Sequence, residues 1–197
     1  MSIFSNRPVS PLLSVFSILF LVFTHISCIP PDVKGTADTQ FFDLKGFLEY
    51  HIEKLEKQKV SVAKKTILQG IKTEQTLKKI NWKDEFAYFY ASDINTPQLR
   101  DRYQINKTPT QWSFKTESEN LIVRQMEIYF ESQNDDSFQN VKEIMIVQKD
   151  KNVLYENNRA LRFKVKNGLL EAYTIIGSEN VILNDAQVFQ VEGIVIP

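Results

Sequence analysis

Two histidines, His25 and His51, and one cysteine, Cys28, are all the imidazole and thiol available in this chain of 197 residues. Nucleophilic catalysis of the Ser-His-Asp kind needs an imidazole as base, and a structural zinc cage needs four Cys or His ligands. The cage lacks ligands, and the base can only be His51 if the amino-terminal segment is removed. His51 sits between Leu48 and Leu55 on what reads as an apolar helical stripe, which is a packing position. No serine lies in a G-x-S-x-G setting, and no two of the six glycines are close enough to cradle a phosphate. A single cysteine permits no internal disulfide. No cofactor and no metal are expected.

Paired carboxylates can do acid-base work without histidine, as in glycosidases. The candidates are Asp84 with Glu85, Asp135 with Asp136, and Asp93 with Asp101. Each also has a plain structural reading. Asp84 and Glu85 fall in the first turn of a helix, where the dipole favours negative charge. Asp135 and Asp136 occupy a polar stretch between two strands, and Asp93 suits a cap or turn. The acidic loop lacks the spaced ligands and glycine of a strong calcium site.

Charge is balanced at 24 Lys plus Arg against 24 Asp plus Glu, so nothing draws the whole molecule to nucleic acid. Locally the balance fails: Lys54 to Lys83 holds nine lysines and two acids. If Lys59, Lys64, Lys65, Lys72, Lys78 and Lys79 are presented together, they could contact anionic headgroups or an acidic protein. The same lysines on an edge hairpin would serve to discourage strand-to-strand aggregation.

The elements that must position these groups follow from periodicity. Phe41, Leu44, Leu48, Ile52 and Leu55 recur at helical spacing from Thr39 to Gln58, with Gly46 inside the run. Val60–Gln69 and Ile71–Ile80 read as strands around Gly70. Asn81 is placed to cap a short helix with Trp82, Phe86, Phe89 and Tyr90 on one face. From Asp93 to Pro109 the chain reads as loop, with one helical turn near Leu99–Tyr103. Strands are expected around Arg124–Phe130, Val141–Gln148 and Val153–Tyr155. A hairpin of Leu161, Phe163 and Val165 with Leu170, Ala172, Thr174 and Ile176 turns at Asn167-Gly168, a type I′ pair. Val181–Leu183 and Val188–Ile196 should close the chain as edge or terminal strands. Helices first and antiparallel strands after predict an α+β fold: an amino-terminal helix, a β-hairpin, a short aromatic helix and then a meander sheet with helices on one face. The aromatics, 12% of the chain, should mostly be core.

The first 27 residues carry Arg7 as their only charge, and Leu12 to Phe23 is apolar apart from Ser14 and Ser17. This is the pattern of a secretory signal, and the run is too short for a membrane-spanning helix. Residues 1–27 are therefore expected to be a signal peptide, 28–38 a tether and 39–197 a single domain. The segment His25-Ile26-Ser27-Cys28 resembles the lipobox of bacterial lipoproteins, with His25 standing where that family usually has an aliphatic residue. The resemblance implies a diacylglycerol thioether on Cys28, which becomes an acylated (palmitate-type) amino terminus after cleavage. With Ile29 following Cys28, the aspartate that retains some lipoproteins at the inner membrane is absent, so an outer-membrane location is implied, periplasmic or surface-exposed.

The rest of the chain resembles Gram-negative lipoproteins without an assigned activity, through Ser92-Asp93-Ile94-Asn95-Thr96-Pro97, Asn152-Val153-Leu154-Tyr155 and Ala172-Tyr173-Thr174-Ile175-Ile176-Gly177. The function expected is that of a lipid-anchored envelope protein acting by binding or structural interaction rather than catalysis. Two alternatives stand beside it. One is a carrier of a hydrophobic ligand in a sheet-enclosed cavity, and the other a histidine-free envelope hydrolase using paired carboxylates. Membrane contact through lipidated Cys28 is the partner expected first. Oligomeric state is not legible.

Overall fold

The computed structural model describes residues 40–197, and the signal-like segment and Cys28 lie outside the described residues. The described chain opens with helix α1, Leu44–Gln58. It begins at Leu44, and not at Thr39, because Asp43 caps it: the carboxylate accepts the Gly46 N–H at 2.9 Å. Gly46 thus lies in the first turn, not the interior. The helix ends at Lys59, whose left-handed backbone (φ 52°) lets its N–H reach the Glu56 carbonyl.

Strands β1 (Ser61–Leu68) and β2 (Ile71–Leu77) follow as the expected hairpin, turning through Gln69 and Gly70, both at positive φ. The aromatic segment makes two single-turn helices, α2 (Trp82–Glu85) and α3 (Ala87–Tyr90), separated at Phe86. Asn81 does not cap α2; its amide donates instead to Asp84. The helical turn expected near Leu99–Tyr103 is a 3₁₀ turn at Pro97–Leu99. Two short strands come next, β3 (Gln104–Lys107) and β4 (Gln111–Lys115). Sequence periodicity does not show β3 at all, since four residues carry too little alternation to register.

The remaining strands are β5 (Val123–Phe130), β6 (Val141–Lys151), β7 (Tyr155–Lys166), β8 (Leu169–Val181) and β9 (Gln187–Ile196). All nine described strands join one antiparallel sheet in the order β2-β1-β9-β8-β7-β6-β5-β4-β3. The class is α+β. Three sequence expectations need correction. Val153 and Leu154 form the β6–β7 turn, not a strand, and Ile182 and Leu183 lie beyond the end of β8. β9 is not an edge: it pairs with β8 on one side and β1 on the other, so the carboxyl-terminal strand is interior. The β7–β8 hairpin does turn at Asn167-Gly168, both at positive φ, but a bulge between Lys164 and Val165 shifts its register. That extra residue exchanges the faces of β8 beyond the bulge. Tyr173 and Ile175 are buried with Leu161 and Phe163, and Ala172, Thr174 and Ile176 pair with the outer-face residues of β7.

The core lies between one face of this sheet and the helices. Phe163 of β7 is its centre, with Phe47, Phe86 and Phe89 at ring distances of 5.1, 5.3 and 5.6 Å, all in edge-to-face geometry. Tyr173 continues the layer 5.4 Å from Phe86. Phe41 packs on Tyr103 and Phe114, and Phe42 on Trp112 and Phe138, so the chain entering α1 closes the β3–β4 side.

Candidate functional site

The six lysines singled out in sequence are not gathered on one face. In β1, successive side chains point to opposite faces, so Lys64 and Lys65 part company. Lys64 turns towards the helices and pairs with Glu85 at 2.6 Å. Glu85 also accepts the Tyr173 hydroxyl, and burial followed by this carboxylate pushes the Tyr173 phenol far above its ordinary range. Lys64 therefore belongs to a structural network tying β1, α2 and β8. Lys65 points outward, opposite Glu74 on β2 and Glu192 on β9. Lys72 pairs with Glu74 at 2.6 Å. Lys59, Lys78 and Lys79 are exposed where β1 begins and β2 has ended. Three exposed lysines at one end and three partnered or opposed by acids on the strands is the arrangement an edge hairpin uses to stay soluble.

The carboxylate candidates take up structural positions. Asp93 accepts the Asn95 N–H at 3.1 Å in a turn and pairs with Lys45 at 3.1 Å, while Asp101 lies in a separate exposed turn. Asp84 receives the Asn81 amide at the start of α2, and Glu85 serves Lys64 and Tyr173. Asp135 and Asp136 sit together in the β5–β6 loop. That loop is built by Asn140: its Oδ1 accepts the Ser132 N–H at 2.9 Å, and its amide donates to the Ser132 and Asp135 carbonyls. Asn140→Asp should lower stability by about 2–3 kcal/mol, because it turns two donor contacts into carboxylate facing carbonyl oxygens. Urea midpoints of the two proteins measure this, and an unchanged midpoint would mean the loop is held some other way.

Asp135 and Asp136 line a surface cleft of about 410 Å³ with Asn134, Lys107, Thr108, Pro109, Trp112 and Phe130. An indole beside two carboxylates is a common way to hold a sugar, but here the ring face is taken. The Lys107 ammonium lies 3.8 Å from the Trp112 ring centroid, and burial draws its pKa down against the pull of Asp136. Lys107 thus covers the indole face that a sugar ring would need.

His51 is fully buried among Phe47, Tyr50 and Phe163, with no hydrogen-bond partner on either ring nitrogen. Burial, with a smaller contribution from Lys54, lowers its pKa to about 3, so the imidazole is neutral. A ring sealed in aromatics has no route to a substrate. Among the described residues no group of three or more His, Cys, Asp or Glu side chains comes together to hold a metal.

One feature escapes sequence inspection. Val153 at the β6–β7 tip and Leu183 at the β8–β9 tip are 93% and 98% exposed, and Ile71 at the β1–β2 tip is 73% exposed. Apolar residues between strands read as strand, and only the turn geometry shows them to be outside. The one available signal is the position of Asn152 and Asn184-Asp185 directly beside them, where turn chemistry is strongest.

Among the described residues no helix is long and apolar enough to cross a membrane. No protein-family model, curated protein or solved structure matches this chain.

Proposed function

We propose that this protein is exported across the inner membrane and held at the outer membrane by acylation of Cys28, where it works by binding rather than by catalysis. The carrying observation is the apolar run Leu12–Phe23 leading directly to Ser27-Cys28 in a chain with no other thiol. The folded part agrees with a binding role in its layout. Asp84, Glu85 and Asp93 serve turns, helix starts and ion pairs, and its one described imidazole is sealed in the core. A carrier needs open apolar volume between sheet and helices. That layer is occupied by Phe47, Phe86, Phe89, Phe163 and Tyr173, all with almost no exposed surface. A carboxylate hydrolase needs two acids opposed across a cleft, whereas Asp135 and Asp136 are neighbours on one loop.

The test is the mass of the amino-terminal peptide from the wild type and from Cys28→Ser, both expressed in a Gram-negative host. The expected wild-type peptide begins at residue 28 and carries a diacylglycerol thioether and an acyl chain; the variant carries neither. A wild-type peptide without lipid overturns the anchoring. One acyl chain holds a protein only marginally, so the several chains implied here are what make the attachment durable.

A further inference from the structure

The sheet has two edge strands among the described residues, and they are not alike. β3 is four residues long, and a very short strand offers little to pair with. β2 runs seven residues without proline, glycine or bulge, and every residue but Leu77 is exposed. The turn at Gln69-Gly70 decides which of its backbone groups are free. In a two-residue hairpin the flanking residues, here Leu68 and Ile71, form the first hydrogen-bonded pair, and bonded and non-bonded pairs alternate from there. Thr66 with Thr73, Lys64 with Gln75 and Val62 with Leu77 are therefore bonded pairs. Lys72, Glu74 and Thr76 turn their N–H and C=O groups away from β1. The Gln69 N–H, which donates to the Val188 carbonyl at 3.0 Å, agrees: odd-numbered positions of the first arm face β9 and leave the even-numbered ones to β2. The side chains of Lys72, Glu74 and Thr76 share the outer face with Lys65.

We infer that β2 is a self-association edge: two copies of this chain pair β2 with β2, antiparallel about a twofold axis at Thr73, and carry one sheet through both. A second copy is selected as the occupant because Lys72-Thr73-Glu74 is its own complement. Run antiparallel about Thr73, it sets Lys72 of each copy opposite Glu74 of the other, and these are the residues whose backbone groups are free to exchange bonds. Opposite charges and threonine facing threonine are both favourable cross-strand neighbours. Ile71, 73% exposed in one copy, comes to face the stem of Gln75 in the other. The remaining registers lack this match. Centred on Glu74 the pairing sets carboxylate against carboxylate, and centred on Lys72 it sets ammonium against ammonium. Centred on Gln75 it sets Lys72 against Lys78, and any further slide runs past the end of β2 at Leu77. The charges that guard this edge against indiscriminate pairing thus leave one register open. Lys72 and Glu74 already lie 2.6 Å apart on one face, so in the pair the charges alternate in sign around the axis. A twofold axis closes the assembly at two copies and uses up both β2 edges. The contact is small for a protein interface, which makes the association weak and reversible.

The test is disulfide trapping in the full chain carrying Cys28→Ser, so that an introduced cysteine is its only thiol. Across the axis the two Thr73 residues form a non-hydrogen-bonded pair with Cα atoms about 4.5 Å apart, inside disulfide range. Each Gln75 lies opposite Ile71 of the other copy, so the two Gln75 residues stand about 14 Å apart along the strands, beyond that range. Under mild oxidation Thr73→Cys should form a covalent dimer at least about tenfold faster than Gln75→Cys. Adding Lys72→Glu to Thr73→Cys should slow trapping by about tenfold or more, because carboxylates then face each other, and adding Glu74→Lys as well should restore it. Glu74→Pro should slow it as far: it removes a free edge N–H and no β1–β2 bond, so the circular dichroism spectrum should be kept. Equal rates at positions 73 and 75 would mean random collision and overturn the inference. A faster rate at position 75 overturns it too, since it marks a different register, and so does a position-73 rate indifferent to the charge reversal. Trapping is scored without the Cys28 thiol, so its failure leaves the proposed anchor untouched, and failure of acylation leaves the β2 pairing untouched.

Discussion

Gly193→Ala lowers the stability of the folded domain by at least about 3 kcal/mol, while Gly177→Ala costs much less. Both glycines lie on the inner face where β8 meets β9, each beneath an aromatic ring of the neighbouring strand. A Cβ at Gly193 would stand 2.1 Å from Cζ of Tyr173 and 2.3 Å from its hydroxyl. Tyr173 cannot retreat: it is buried, its ring packs on Phe86, and its hydroxyl donates to Glu85, which also holds Lys64. Accommodating one methyl group therefore means breaking that network or opening the β1–β9–β8 ladder. At Gly177 the overlap is with the far edge of the Phe189 ring, 2.5 Å away. Phe189 is only partly buried and can swing outward. Urea unfolding followed by tryptophan fluorescence gives both values, and equal losses for the two variants would show that Tyr173 is freer than its contacts imply.

The second large effect is acid sensitivity set by His51. Its pKa falls from an ordinary 6.5 to about 3 in the folded protein because burial penalises the imidazolium. In the unfolded chain the ring takes a proton below pH 6.5, and in the folded chain it does not. Stability is therefore complete above pH 6.5 and declines as pH falls towards 3, at about 1.4 kcal/mol per pH unit, levelling off below. Other groups titrate in the same range, so the informative quantity is the difference between wild type and His51→Leu. That variant should be at least as stable as wild type at pH 7, since it removes two buried nitrogens without partners, and should lack this part of the acid loss. Parallel stability curves for the two proteins between pH 6.5 and 4 would mean His51 gains a partner on protonation.

Much of the architecture was legible because local chemistry and tertiary demand coincide. The stripe Leu44, Leu48, Ile52, Leu55 could bury itself only as a helix, and Asn167-Gly168 supplies positive φ wherever the strands run. Where the outcome depended on a distant partner, local reading failed. The β7–β8 bulge is one residue, invisible to alternation, yet it decides that Tyr173 and not Thr174 enters the core. β9 reads as a terminal strand, but β1, about 130 residues earlier in the chain, pairs along its free side. The aromatic run from Trp82 to Tyr90 follows helical spacing, yet it breaks at Phe86, whose ring is buried among Phe89, Phe163 and Tyr173.

The candidate sites divide in the same way. Residue types alone removed zinc cages, phosphate cradles and disulfides from consideration, because these chemistries require particular atoms in particular numbers, while Cys28 as the proposed position of attachment rests on a resemblance to the lipobox. Which lysines pair, which carboxylates serve turns, and which apolar residues stand in water depended on strand register. Register is a cooperative property of the whole sheet: each strand's two faces are assigned only when its neighbours are in place. Val153 and Leu183 are ordinary apolar residues in the chain, and only the turns that follow β6 and β8 place them in water.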